Sequence, residues 1–92
     1  MKKLNQNAIK IGHIIKAHRI ALSLGKGRQA FIDSRIEVNL LPPDWISEKS
    51  LMNIELGNNF PSYTALKLLS TALEIDFIDF IKEVDPYMPS KL

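Results

Sequence analysis

Few residues in this chain are able to do chemistry, and they are poorly assembled for catalysis. His13 and His18 stand five positions apart, so on a helix they do not share a face. No carboxylate lies beside them at metal-ligand spacing, and no metal site is expected. The run Gly25-Lys26-Gly27-Arg28 has the glycines and lysine of a phosphate loop. It lacks the full glycine–lysine–serine pattern and any preceding strand, so it is not read as a nucleotide site. Serine, histidine and aspartate all occur, without a nucleophile elbow or a spacing that specifies a triad. The chain has no cysteine, which excludes disulfides, thiolate zinc sites, iron–sulfur clusters and cysteine nucleophiles. The expectation is a non-enzyme without a cofactor.

Charge carries more information than any of these motifs. Residues 1–35 hold Lys2, Lys3, Lys10, Lys16, Arg19, Lys26, Arg28 and Arg35 against Asp33 alone, a net of +7. Residues 36–92 hold four lysines against nine carboxylates, a net of −5. A basic front and an acidic back suit a domain that presents one face to a polyanion, either nucleic acid or an anionic lipid surface. They also suit a pair of merely solvated surfaces. The 92 residues, 46% of them hydrophobic, make one domain with a modest core, since a chain of this size buries roughly 60–65% of its unfolded surface.

The longest apolar runs are too short to span a membrane. Met1-Lys2-Lys3-Leu4 passes into Asn5-Gln6-Asn7 rather than into a signal-peptide core, so neither a span nor a leader is expected. The ending Ser90-Lys91-Leu92 has the form of a peroxisomal address, a three-residue match of little information that is discounted.

The elements that must position these residues read as helices separated by short breaks. The first spans about residues 7–23, with Ile11, Ile14, Ile15, Ala21 and Leu22 as its apolar stripe and Asn5 or Asn7 as cap. Leu24-Gly25-Lys26-Gly27 breaks it. A second helix spans about 28–38 with Ala30, Phe31, Ile32, Ile36 and Val38. Pro42 and Pro43 prevent continuation through Asn39-Leu40-Leu41. Asp44 or Ser47 caps a third helix that carries Leu51, Ile54 and Leu56 and stops at Gly57. Ser62 caps a fourth through Leu66, Leu69, Ala72 and Leu73, and Asp76 caps a fifth through Phe77, Phe80 and Ile81 to about Val84. Residues 85–92 are expected to leave regular structure as a short flexible tail.

Two stretches resemble a known family. Ile11-Gly12-His13-Ile14-Ile15-Lys16-Ala17-His18-Arg19 looks like the opening of the lambda-repressor-like, or XRE-type, helix-turn-helix domains of bacteria and phages. Ile46-Ser47-Glu48-Lys49-Ser50-Leu51-Met52-Asn53-Ile54-Glu55-Leu56-Gly57, followed by Pro61-Ser62 and Leu66-Lys67-Leu68-Leu69-Ser70-Thr71-Ala72-Leu73-Glu74-Ile75, is similar to that family's recognition helix, glycine turn and fourth helix. The resemblance covers residues 11–83 and implies an all-α, five-helix DNA-binding domain over residues 1–84.

The resemblance also assigns roles. It places the recognition helix at about residues 47–56 in the major groove, with Ser47, Glu48, Lys49 and Asn53 facing base edges. Met52 or Ser50 would flank them, and Leu51 and Ile54 would belong to the buried face. Lysine donates to guanine, asparagine bonds adenine bidentately, and glutamate accepts from cytosine while repelling nearby phosphate. Lys26, Arg28, Arg35, Asn58 and Asn59 would contact phosphates. Arg19 and Glu55 match family positions that form an internal ion pair. The chain departs from the pattern between the second and third helices. Ala30, which fits the second-helix alanine, lies 25 residues before Glu55, a wider gap than the family's. The extra residues fall at about 33–44. Lys26 also replaces the family's phosphate-binding glutamine, and Gln29 stands where an apolar residue is usual.

Two expectations about partners stay open at this level. Leu40, Leu41 and Trp45 either anchor the enlarged loop in the core or form a patch for a protein partner or a second subunit. Phe77, Phe80 and Ile81 are either core or homodimer contacts, and dimers of this family read half-sites about 34 Å apart. The expected function is sequence-specific binding of double-stranded DNA and transcriptional regulation, repressor-like, in the cytoplasm at the nucleoid. The alternative is a protein-interaction module, such as the antitoxin of a toxin–antitoxin pair, that retains the helical fold.

Overall fold

The computed structural model describes residues 5–89. Lys2 and Lys3 of the basic front, the opening residues read for a leader, and the ending Ser90-Lys91-Leu92 lie outside the described residues. Among the described residues the fold is all-α and holds no strand: α1 Gln6–Leu22, α2 Gly27–Glu37, α3 Glu48–Glu55, α4 Tyr63–Ala72 and α5 Phe77–Val84, followed by a 3-10 turn at Asp85–Tyr87. None of these helices is long and apolar enough to cross a membrane.

Short polar side chains set where four of the five helices begin. Asn5 accepts from the amides of Asn7 and Ala8, Ser47 from Ser50, Ser62 from Ala65 and Asp76 from Asp79, at 2.8–3.4 Å. Each such cap stabilises its helix by about 1 kcal/mol. Of the two caps open for α3, Ser47 is the one used. Leu56 is its C-cap rather than a core residue and is exposed.

The core gathers around α1. Ala8, Ile11, Gly12 and Ile15 form its buried stripe at the spacing of one helical face, whereas Ala21, expected in that stripe, is exposed. A methyl group at Gly12 would stand 2.6 Å from the Ile54 carbonyl oxygen and 2.8 Å from the Glu55 carbonyl carbon. Only glycine lets α1 approach the backbone of α3 so closely. Gly57, at φ +80°, closes the same contact from the other side: a methyl there would meet the Ile9 Cα at 2.7 Å. Leu51, Leu66, Leu69, Phe80 and Val84 complete the fully covered interior with α2's Phe31 and Ile32.

The long connection between α2 and α3 is tethered at both ends. The Leu40 and Leu41 amides both donate to the Arg35 carbonyl, folding the chain back over the end of α2. Leu41 and Trp45 are buried at 8% and 6% exposure, the Trp45 indole meeting Phe31 edge-on and its Nε1–H donating to the Ile32 carbonyl at 3.5 Å. The alternative in which Leu41 and Trp45 form an exposed patch is therefore overturned, because the indole is spent inside. Val38 and Leu40 remain exposed.

The expected loss of regular structure after Val84 is also corrected. Asp85–Tyr87 continue as a 3-10 turn with Pro86 in its first positions, where a missing amide costs nothing. Tyr87 and Met88 pack against the core, and the Lys10 ammonium lies 5.3 Å from the Tyr87 ring centroid.

Two substitutions test this packing. Trp45→Ala is expected to lower unfolding free energy by about 3–5 kcal/mol, read by urea denaturation with circular dichroism. Gly12→Ala, although it raises intrinsic helix propensity by about 1 kcal/mol, should lower the melting temperature. A melting temperature at or above that of the parent would contradict the close α1–α3 contact.

Candidate nucleic-acid interface

The described arginines all carry internal links. Arg19 donates from Nε to Glu55 Oε2 at 2.6 Å and from Nη2 to Oε1 at 2.9 Å, and Arg28 donates from Nε to the same Oε1 at 2.9 Å. The Glu55 side chain is fully buried, while those of Arg19 and Arg28 are 10% and 23% exposed. The ion pair expected of Arg19 and Glu55 is present as one arm of a three-residue clamp joining α1, α2 and α3. A carboxylate without solvent needs such donors, because burying it unpaired would cost several kcal/mol.

The expectation that Arg35 contacts phosphate is overturned. Its side chain is buried, and Nη1 donates to the Ala72 carbonyl at 3.3 Å and to Glu74 Oε2 at 2.8 Å. Arg35 fastens α2 to the end of α4 and offers nothing to a polyanion. Arg28 is corrected in part, since its Nε is committed to Glu55. Lys26 is exposed, as expected of a phosphate contact. It occupies the N-cap of α2 but makes no capping hydrogen bond, and the first turn of that helix contains no acidic residue. The leading amides of α2 thus lack a side-chain cap beside Lys26 and Arg28, an arrangement that favours an anion. The clamp to Glu55 holds this end of α2 against the last turn of α3.

α3 divides by face. Leu51, Ile54 and Glu55 are buried, while Ser47, Glu48, Lys49 and Ser50 are exposed and Asn53 is half-buried. Ser47, Ser50 and Asn53 lie along one edge and open into a groove between α3 and the start of α4, where Asn59, Ser62 and Thr64 form the other wall. Asp44 adds a carboxylate and Phe60 an apolar floor. The first turns of α3 and α4 both begin at this groove, with Ser47 and Ser62 as their caps. Glu48 and Lys49 do not line it and stand on the outer surface of α3.

Asn53 does not hang free. The Asn58 side-chain amide donates to Asn53 Oδ1 at 3.0 Å, and the Asn58 backbone amide donates to the Asn53 carbonyl at 2.9 Å. Asn58 is thereby a support for Asn53, and with Oδ1 engaged the Nδ2–H groups are the donors that this side chain keeps for a ligand. Ser62, Thr64 and the uncapped start of α2 were not singled out from sequence. Ser62 was read only as a cap, and nothing in linear spacing reveals that α4's first turn faces α3.

The histidines fall in unrelated places. His13 is exposed, and His18 Nε2 bonds Glu83 Oε1 at 2.7 Å while its ring meets Phe80 edge-on, linking α1 to α5. Among the described residues no three histidine, cysteine or carboxylate side chains cluster as metal ligands.

Comparison with protein-family models, with curated proteins and with solved structures finds no match to this chain.

The clamp predicts an order of losses. Glu55→Ala strands the Arg19 guanidinium in the interior and should cost about 3–5 kcal/mol. Arg28→Ala, at the more exposed arm, should cost markedly less. Equal losses for the two, measured by chemical denaturation, would contradict the assignment of Glu55 as the centre. Arg35→Ala should likewise lower stability.

Proposed function

We propose that the chain is a sequence-specific reader of double-stranded DNA, with α3 entering the major groove as recognition helix and regulation of transcription, repressor-like, as the output. The observation that carries this reading is the division of α3. Its inner face is locked by Leu51, Ile54 and the Glu55 clamp, and its outer first turns offer hydroxyl, carboxylate, ammonium and amide groups at Ser47, Glu48, Lys49 and Asn53. A helix that is rigid behind and chemically varied in front is what reading base edges requires.

Phosphate contacts are assigned to Lys26 and the uncapped start of α2, to the outer edge of Arg28, and to Asn58 and Asn59 in the turn after α3. Two of these positions are held at the end of α3, since Arg28 bonds Glu55 and Asn58 bonds Asn53. The XRE-type resemblance of residues 11–83 supports the same assignment, and the Arg19–Glu55 pair that it implied is present. With three arginines tied internally, affinity falls to few cations, so the salt dependence should be shallower than the +7 of the first 35 residues suggests.

Selection of sites from a random duplex library, followed by titration of the winner and a scrambled duplex at two salt concentrations, tests the proposal. A winner bound about a thousandfold more tightly than the scramble establishes specific reading. Equal, weak, salt-sensitive binding of both refutes it. Lys49→Ala and Asn53→Ala are each expected to relax preference at one base position at a cost of about 1–3 kcal/mol, whereas Lys26→Ala should weaken all duplexes alike and reduce the salt slope by about one. Arg35→Ala, judged at a temperature where it is folded, should leave that slope unchanged.

A further inference from the structure

From the way α3 ends we infer that Asn58 sets which base Asn53 reads, holding it as a pure donor that selects guanine over adenine. The inference rests on the DNA-reading proposal and names the base edge that this position takes. Gly57 lies at φ +80°. Its amide donates to the Ile54 carbonyl at 3.1 Å, and the Asn58 amide donates to the Asn53 carbonyl at 2.9 Å. Together these bonds make a Schellman stop, which folds the chain back so that the side chains of Asn58 and Asn53 become neighbours. An apolar contact frequently joins these two positions. Here both are asparagine, and the Asn58 Nδ2–H donates to Asn53 Oδ1 at 3.0 Å. The turn has no slack, because a methyl on Gly57 would stand 2.8 Å from the Ile9 nitrogen.

The bond decides what Asn53 has left to offer. A carboxamide carries one acceptor oxygen and one nitrogen with two donor hydrogens. An asparagine with both ends free matches adenine, accepting from N6 and donating to N7. In Asn53 the oxygen that would take the N6 hydrogen is engaged by Asn58. The donors that remain match guanine, whose major-groove edge carries acceptors at both O6 and N7. Against adenine they would meet the N6 amino group, donor against donor. Asn53 lines the groove together with Ser47 and Ser50, so the choice is made within the surface assigned to base reading.

Asn58 is in this way a positioning residue, acting on the base through Asn53. That role is separable from the phosphate contact assigned to the same turn. Losing a phosphate contact weakens all duplexes alike, whereas losing a positioning contact changes the ratio between bases. Exchange of Asn58 for aspartate makes the distinction sharper. A carboxylate only accepts, so Asn53 would have to turn its Nδ2–H toward residue 58 and present Oδ1 to the base instead. The added negative charge should weaken binding to every duplex, and the turned amide should prefer adenine.

The test uses the full chain and the duplex obtained by site selection, with G·C or A·T placed at the position whose preference Asn53→Ala abolishes. The parent should favour G·C there at least about fivefold. Replacing that guanine by 7-deazaguanine, which lacks the N7 acceptor, should remove much of the margin. Asn58→Ala should bring the ratio toward one and Asn58→Asp should invert it in favour of A·T. Asn59→Ala, in the same turn, should weaken both duplexes and leave their ratio unchanged. Asn58 is exposed, so both of its variants should keep the parent's helicity by circular dichroism. A parent that favours A·T overturns the inference, as does a G·C preference indifferent to 7-deazaguanine or an Asn53→Ala variant that alters no position. Asn58 variants that weaken both duplexes without moving the ratio overturn it equally. The two readings fail distinguishably. Selection of no duplex refutes DNA reading and this inference with it, whereas a selected duplex whose base ratio ignores Asn58 refutes this inference alone.

Discussion

Everything that gives this domain a usable surface depends on one buried carboxylate. Glu55 sits at the last turn of α3 with no solvent of its own and accepts three hydrogen bonds from two arginines. Arg19 comes from α1 and Arg28 from α2, so one side chain fixes the position of α3 against both preceding helices. The glycine contact supplies the other half of the constraint. Gly12 admits the Ile54 and Glu55 backbone to van der Waals distance of α1, which brings the carboxylate within reach of Arg19, seven residues further along the same helix. The hydrogen bonds impose direction and the missing methyl imposes distance. Apolar burial supplies most of the stabilisation but not that specificity.

The same clamp changes what the charge asymmetry means. Eight cations in the first 35 residues against nine carboxylates in the rest suggest a basic face and an acidic face. In the folded chain the three arginines of that front are spent on pairing front to back. Arg19 and Arg28 meet Glu55, Arg35 meets Glu74, and His18 meets Glu83. Every pair crosses the division between the two halves. The arginines therefore serve the tertiary contacts while Lys10, Lys16 and Lys26 stay on the surface, and the DNA-reading proposal stands on the chemistry of α3 rather than on the sum of charges.

What could be read in the sequence divides along the same physical line. Helix starts were legible because a cap is local: Asn5, Ser47, Ser62 and Asp76 act on amides two or three residues ahead. The inner face of α3 followed from period and resemblance together, and Leu51 and Ile54 are buried as expected. Arg35 was misjudged because the exposure of an arginine is a property of its neighbours, and the groups that receive it, the Ala72 carbonyl and Glu74, lie more than 35 residues away. The turn after Val84 was misjudged for a different reason. Proline ends a helix when it falls inside one, yet is tolerated when it opens the next, and the sequence around Pro86 does not distinguish these cases. Gly12 was passed over although it carried a signal: a glycine in the middle of an otherwise regular helical pattern costs about 1 kcal/mol and asks for a packing reason.

The enlarged connection between α2 and α3 shows how an insertion can be absorbed without loosening the element that follows it. Ten residues, 38–47, separate the two helices, enough in principle to let α3 drift. Entropy lost in closing so short a loop is modest, so a few contacts suffice to hold it. The Leu40 and Leu41 amides bind the chain to the end of α2, Leu41 and Trp45 enter the core, and the Trp45 amide closes a turn on the Pro42 carbonyl at 3.1 Å. Ser47 caps α3 two residues after Trp45. The indole therefore fixes the entry of α3 as Glu55 fixes its exit, and the exposed side chains between them, Glu48, Lys49 and Ser50, are held from both ends. A free loop in place of this anchor would leave the start of α3, where base contacts are assigned, dependent on Glu55 alone. It would then sample orientations that no single base sequence could match.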